Sequence, residues 1–314
     1  MGYRKTGDFL ERVAEEGARK GRKPRGAPRR DAERESGRVL AAFGLQCLVR
    51  FADRELRFPA SRALSPVTGD LVETDGRRVI NILPRGKVLA RADANSTQVI
   101  AANIDRVVLV QSASHPPFRE GLTDRYRVFT QIMDLPLILV LNKIERARDG
   151  YQKIVDACRE SGIEVVPVSA KTGQGMDDLA DRLRSGISVF SGHSGVGKSS
   201  LLSYWMPGVR IRVGELSPIR QLGRQQTTTT RAYPFGDGFL IDTPGIRQFG
   251  FVGVNPCDVS RAFPEIMELS SECRFRNCLH ITEPDCAVKR AVDENRLAHK
   301  RYRSYHNIVV SVKT

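Results

Sequence analysis

Gly192-His-Ser-Gly-Val-Gly-Lys-Ser199 is the stretch on which the reading of the fold turns. It satisfies G-x-x-x-x-G-K-[ST], in which glycines let backbone N–H groups close around phosphate oxygens. The Lys places a point charge at the β- and γ-phosphates, and the last hydroxyl can ligate Mg2+. The flanks suit the motif: Ile187-Ser-Val-Phe-Ser191 reads as a buried strand, and Ser199-Ser-Leu-Leu-Ser-Tyr-Trp205 as the opening of a helix. Gly192, His193, Ser194, Gly195, Val196, Gly197, Lys198, Ser199 and Ser200 are therefore expected around a nucleoside triphosphate.

Working outward, VVLV (107–110), LPLILVLN (135–142), IEVVPVS (163–169) and GFLIDT (238–243) are continuous apolar runs, the pattern of parallel strands buried on both faces. Helical stretches at 122–133, 149–161 and 175–184 lie between them, so a doubly wound α/β sheet is expected over residues 96–255. Asp242-Thr-Pro-Gly245 ends one strand, where Asp242 can support Mg2+ and the Gly245 N–H can approach the γ-phosphate. The Thr-rich run 227–230 lies between the two motifs, and Thr228 is expected to join Ser199 and Asp242 around Mg2+.

Two further strand ends carry Asn142-Lys143-Ile144-Glu145 and Ser169-Ala170-Lys171. They resemble the Asn-Lys-x-Asp and Ser-Ala-Lys motifs that bind guanine in GTPases. In that scheme Asn142 meets the base edge, Lys143 covers its face, and a carboxylate accepts from N1 and N2, a donor pair adenine lacks. Glu145 is one methylene longer than the usual Asp, which keeps relaxed base choice open as an alternative. Both base motifs precede the P-loop, the reverse of the ordinary order. A sheet whose site lies at the carboxyl ends of its strands tolerates this permutation if its original termini can be joined.

The N-terminal third has a different texture. VLAAF, QCLVRF, ELRFPA, DLVETD and RRVINIL are short β-like runs separated by turn signals, so a small closed barrel of the OB type is expected over residues 36–95. Before it, residues 17–30 hold seven basic residues and no acidic one, which predicts a disordered arm over residues 1–35 that could contact phosphates. At the other end, Cys273-x4-Cys278-x-His280-x5-Cys286 supplies three thiolates and one imidazole within 14 residues, a set suited to closed, structural Zn2+. The remaining cysteines, Cys47, Cys158 and Cys257, are isolated and read as ordinary thiols. Residues 256–314 are thus expected to form a zinc-binding helical unit with a basic tail.

The 314 residues carry 50 Lys and Arg against 36 Asp and Glu, a formal charge of +14 that favours a polyanionic partner. No apolar run approaches the about 18 residues of a membrane span, and the first residues lack the apolar run of a signal peptide, so a cytoplasmic protein is expected.

Together, the permuted motif order, the barrel and the Cys3His set resemble the ribosome small-subunit-dependent GTPase A family (RsgA/YjeQ). Asn103-Ile-Asp105, Asp124-Arg-Tyr126 and Arg301-Tyr-Arg-Ser-Tyr305 add to the likeness, which covers about residues 37–308. The resemblance implies a GTPase acting in late maturation of the 30S subunit. It implies 16S rRNA bound through the barrel and zinc unit, and hydrolysis stimulated by the subunit; a monomer is expected. It also implies a His in the Thr-rich loop, where this chain has Gly223-Arg-Gln-Gln-Thr-Thr-Thr-Thr230. Ile246, directly after Asp-x-x-Gly, cannot polarise water, so Gln225 or Gln226 is expected to orient it, with Lys198 as the other catalytic group. An RNA-binding assembly factor holding GTP as a structural ligand is the other alternative.

Overall fold

The computed structural model describes residues 34–61, 63–93, 96–147, 150–208, 230–243 and 254–313. Gln225, Gln226, Thr228, Gly245 and all but the last two residues of the basic arm lie outside the described residues.

Five short strands open the described chain: β1 (Glu35–Phe43), β2 (Gln46–Arg50), β3 (Glu55–Pro59), β4 (Leu71–Thr74) and β5 (Val79–Ile82). A register shift between Val39 and Ala41 bends β1, which pairs with β2 along most of its length and with β4 at its start. The resulting order is β3-β2-β1-β4-β5, antiparallel throughout and the strand order of an OB-type barrel, although among the described residues no ladder joins β3 to β5. Its interior holds Val39, Cys47, Val49, Phe58, Val72, Val79 and Ile82. Successive side chains of a strand point to opposite faces, and Leu40 accordingly enters the core of the neighbouring α/β unit. Burial on both faces explains why Val39-Leu40-Ala41 is apolar throughout rather than alternating. A hairpin of β6 (Val88–Asp93) and β7 (Ser96–Ala102), not anticipated from the sequence, leads out of the barrel.

The α/β unit follows as β8 (Arg106–Ser112), α1 (Glu120–Ile132), β9 (Leu137–Asn142), α2 (Tyr151–Glu160), β10 (Glu164–Pro167), α3 (Met176–Leu183), β11 (Ile187–Ser191), α4 (Lys198–Trp205), β12 (Arg231–Phe235) and β13 (Gly238–Asp242). The strand order is β10-β9-β8-β11-β13-β12, parallel except for β12. Val107 and Leu109 of β8 pack toward Tyr126, Phe129 and Val155 of α1 and α2. Val108 and Val110 pack on the other face toward Met176, Leu183 and Leu201 of α3 and α4. Each such fully buried aliphatic side chain stabilises the sandwich by roughly 1.5–3 kcal/mol. β12 was also not anticipated, because Pro234 argues against a strand. The structure tolerates it where β12 pairs with β13, the single recorded pair with β1 being Ala41 with Arg231.

The chain ends in α5 (Pro256–Val259), α6 (Pro264–Ser270), α7 (Ala287–Asp293) and α8 (His299–Lys313). Asn255 caps α5 by accepting from the Cys257 N–H, with Pro256 at the first helical position. Phe263, Ile266, Val288, Val292, Tyr305 and Ile308 form this unit's core and pack on Val128 of α1. Among the described residues no helix is long and apolar enough to cross a membrane.

Candidate nucleotide and metal sites

β11 is flanked by β8 and β13, so the loop after it leaves from the middle of the sheet, at the carboxyl ends of its parallel neighbours. Gly197 makes the last turn of that loop with φ +99°, and a Cβ there would lie 2.2 Å from Asn142 Nδ2. A glycine is therefore required both by conformation and by space. Lys198 opens α4, and its ammonium donates to the carbonyls of Gly192 (2.6 Å) and His193 (3.0 Å). Burial lowers the Lys198 pKa, opposed by the nearby charge of Asp242. Ser199 and Ser200 follow in the first turn of α4. Val196 is buried, whereas Ser194 and Gly195 are exposed. His193 Nε2 lies 3.3 Å from an Arg119 guanidinium nitrogen just before α1.

The base motifs are tied to the P-loop by their own side chains. Asn142 is buried; its Nδ2 donates to the Val196 carbonyl at 3.0 Å and its Oδ1 accepts from the Ala170 N–H at 3.2 Å. One amide thus holds both loops, and each of its atoms keeps a second hydrogen-bonding position for a ligand. Lys143 takes a left-handed backbone (φ +66°), and its ammonium donates to Gly195 O (2.5 Å) and His115 O (2.8 Å). Burial lowers its pKa, with Arg146 adding to the effect. Glu145 sits in the single turn Ile144–Arg146, its Oε1 3.6 Å from Arg146 Nε. Ser169 is buried and its Oγ accepts from the Thr172 N–H at 3.1 Å, while Lys171 is exposed.

Asp242 ends β13 buried, and its Oδ1 has no hydrogen-bond partner among the described residues. Burial raises its pKa and the Lys198 charge pulls it back down. An orphaned buried carboxylate oxygen is costly by itself, so this one fits a cation such as the Mg2+ that accompanies a nucleotide.

In the C-terminal unit the ligand atoms of Cys273, Cys278, His280 and Cys286 all lie within 4.8 Å of one another. Cys273 Sγ is 3.6 Å from His280 Nδ1 and 3.9 Å from Cys286 Sγ, and His280 Nδ1 is 3.3 Å from Cys286 Sγ. Bond lengths of 2.3 and 2.0–2.1 Å around a tetrahedral ion give edges of about 3.8 Å for S–S and about 3.5 Å for S–N. The cluster can therefore hold one metal ion. Burial and the neighbouring sulfurs raise the Cys278 and Cys286 thiols, so the thiolates a metal needs require the ion's own charge. Burial lowers the His280 pKa, which keeps the imidazole neutral for ligation. Tyr302 and Tyr305 of α8 donate to the carbonyls of His280 (2.7 Å) and Leu279 (3.0 Å), fixing the ligand loop from behind. The other thiols are separate: Cys47 and Cys158 are buried and pushed up to about 11 by burial, and Cys257 is exposed.

Roles for several resemblance residues were not legible in the sequence. Asp124 of α1 accepts from Arg301 (2.5 Å) and Ser304 (2.6 Å) of α8, and Arg301 also pairs with Glu265 of α6 at 2.7 Å. Tyr126, on the same helix, hydrogen-bonds Ser191 directly before the P-loop. Asn103 bridges Gly86 N–H and Gly69 O, and Asp105 accepts from the Ile187 N–H at the start of β11. The short motifs signalled these residues, but their partners are distant in sequence.

Base motifs first, P-loop second and Asp-x-x-Gly last, on a doubly wound sheet with a phosphate loop leaving its centre, define a circularly permuted P-loop GTPase. The model of the RsgA GTPase family matches residues 82–252, and the chain belongs to that family. It is 39% identical over 291 residues to the small ribosomal subunit biogenesis GTPase RsgA of Pseudomonas aeruginosa, covering 88% of this chain and 86% of the relative. The RsgA of Chlorobaculum parvum is 36% identical over 260 residues, covering 82% and 83%. Among solved structures, YjeQ from Thermotoga maritima superposes with a TM-score of 0.67 at 28% identity, over 89% of this chain and 99% of that one. YloQ, a circularly permuted GTPase, superposes with 0.64 at 26% identity over 91% and 98%.

Proposed function

We propose that this protein hydrolyses GTP as a switch in late maturation of the 30S ribosomal subunit, with the subunit stimulating turnover. The observation that carries this reading is the site itself. The Asn142 amide and the Lys143 ammonium bind the base motifs to the P-loop, with Lys198 and the Asp242 Oδ1, which has no partner among the described residues, at the phosphate end. Lys198 places positive charge on the β- and γ-phosphates, while Asn142, Lys143, Glu145 and the Ser169–Lys171 loop hold guanine. Ser199, Thr228 and Asp242 hold Mg2+, which supplies charge neutralisation at the phosphates. The Gly245 N–H contacts the γ-phosphate, and Gln225 or Gln226 orients the attacking water by donating and accepting hydrogen bonds. Positioning suffices if the phosphoryl transition state is loose.

The division of labour proposed is an arm (1–35), a barrel (36–95), the GTPase unit (96–255) and a zinc unit (256–314). The barrel and zinc unit bind 16S rRNA, the Cys273–Cys278–His280–Cys286 metal is Zn2+, and the protein works as a cytoplasmic monomer. The RsgA names of its relatives and the chain's +14 charge support this reading. GTP turnover titrated with purified 30S subunits tests it: acceleration is expected, and equal rates with and without subunits remove the switch. Full subunit-stimulated turnover in both Gln225→Ala and Gln226→Ala would remove the water-orienting assignment.

A further inference from the structure

The phosphate loop is rich in glycine, and Gly192 and Gly195 stand at positive φ, where a backbone without a Cβ turns at little cost. The shape of such a loop is decided by what holds its two ends. One end is the start of α4. The other is its root, Phe190-Ser191-Gly192, where β11 leaves the sheet.

That root is gripped from several sides. The Phe190 carbonyl accepts from Thr243 Oγ1 at 2.8 Å, one residue beyond Asp242. Gly192 runs so close to β8 that a Cβ would sit 2.2 Å from the Val110 carbonyl oxygen. Between these two, the Ser191 hydroxyl is hydrogen-bonded to the hydroxyl of Tyr126 from α1, and both residues are fully buried. Burial pushes the Tyr126 hydroxyl up to about 12, so it keeps its proton at neutral pH.

The helix that carries Tyr126 is itself fixed on two faces. Toward the sheet, Gln111 of β8 donates to Thr123 Oγ1 at 2.6 Å and accepts from the Arg119 N–H at 2.9 Å. Away from the sheet, Asp124 and Val128, one turn apart, meet the C-terminal unit. Arg119, directly before α1, also reaches His193, the residue after Gly192. The residues on either side of Gly192 are thus both tied to α1.

We propose that Tyr126 is a positioning residue for nucleotide binding, its hydroxyl holding Ser191 and so fixing the point from which the phosphate loop departs. The inference rests on the reading that residues 192–199 hold the nucleotide's phosphates. Without that anchor the loop spends part of its time in shapes whose N–H groups do not converge on a phosphate, and affinity falls by the fraction lost. The β-phosphate is common to GDP and GTP, so both lose equally, and saturating nucleotide restores full turnover.

The test compares full-length wild type with Tyr126→Phe, Ser191→Ala, the double variant, and Val155→Ala, which opens a cavity in the same core away from the loop. Affinities for fluorescent GDP and a non-hydrolysable GTP analogue are measured with Mg2+, together with intrinsic kcat and KM and thermal midpoints. Each single hydroxyl variant is expected to weaken both nucleotides about 3- to 10-fold, the fold-change of one buried hydrogen bond, with kcat changed less than about 2-fold. The double variant is expected to be no worse than either single, because the two hydroxyls share one bond. Val155→Ala is expected to lower the thermal midpoint while leaving both affinities within about 2-fold. Wild-type affinity in either hydroxyl variant, additive losses in the double, or an affinity loss in Val155→Ala that matches its loss of stability would overturn the proposal. Should Tyr126→Phe not fold, Ser191→Ala carries the same test, since it removes the partner hydroxyl without touching α1. A wild type that binds neither nucleotide removes the reading of the site and this role with it, whereas tight binding indifferent to both hydroxyls removes the role alone.

Discussion

The GTPase unit meets its two neighbours through seams of different chemistry. On the barrel side the contact is mainly a backbone ladder pair, the Thr68 hydroxyl on the Thr230 carbonyl and the inserted Leu40, with the Arg38 guanidinium over the Phe239 ring and an exposed Lys87–Asp134 pair beside them. On the C-terminal side it is a set of side-chain ions on α1, with Asp124 between Arg301 and Ser304, and Arg301 also held by Glu265. Backbone pairing carries a shift of one strand to the next, whereas a largely buried ion pair resists any partial opening, because separation leaves a charge without water. The barrel seam is therefore the one suited to graded coupling with the nucleotide. The α1–α8 seam is suited to carrying the metal-binding unit as a rigid attachment.

Removing the metal should break the contrast most severely. Chelation is expected to abolish hydrogen-exchange protection across residues 254–313, since both tyrosine anchors of α8 hold the ligand loop, while β1–β5 stay protected. Protection that persists throughout would show that the helices stand without the cluster. Next in size, Arg301→Leu leaves the buried Asp124 carboxylate unpaired and is expected to lower stability by about 3 kcal/mol in urea titrations. Adding Asp124→Asn should recover part of that loss, because no charge is then buried without a partner.

The effect of pH at Asp242 is smaller and has two signs. Its raised pKa means that the folded protein binds this proton more tightly than the unfolded chain does. The stability it contributes is present below the ordinary carboxylate pKa and is lost as pH rises through the elevated one. On the proposed role of Asp242 at Mg2+, nucleotide binding uses the ionised form and should run the opposite way, weakening on acidification earlier than an ordinary carboxylate would. Parallel calorimetric and binding titrations check both slopes. Smallest of all, Lys300→Ala removes an exposed pair with Glu120 and is expected to change stability by less than about 0.5 kcal/mol. A larger loss would mean that the C-terminal seam extends beyond its buried ions.

The extent to which the sequence was legible varied with the distance over which each residue acts. The P-loop, the Asn-Lys and Ser-Ala-Lys strand ends and the Cys3His spacing were readable because their partners lie a few residues away or belong to a ligand of known shape. The strands at 107–110, 135–142 and 187–191 were readable because burial on both faces leaves an unbroken apolar run. β12 escaped notice because Pro234 opposes a strand locally, and its neighbours β1 and β13 supply the structure it lacks by itself. The β6–β7 hairpin escaped because it straddles the boundary expected after residue 95, so its two strands fell in different units.

The amino-acid sequence by itself determined the class of chemistry: a phosphate loop on a doubly wound sheet, base motifs in permuted order and a Cys3His cluster able to hold a metal ion. Only the tertiary structure decided how the parts are joined. It placed Thr68 on the Thr230 carbonyl, 162 positions away in sequence, and Asp124 on Arg301, 177 positions away. A hydroxyl or a carboxylate is satisfied by any partner of the right kind, so nothing in its local sequence names the one it meets. The fold selects that partner by bringing two chain segments together and excluding water from between them.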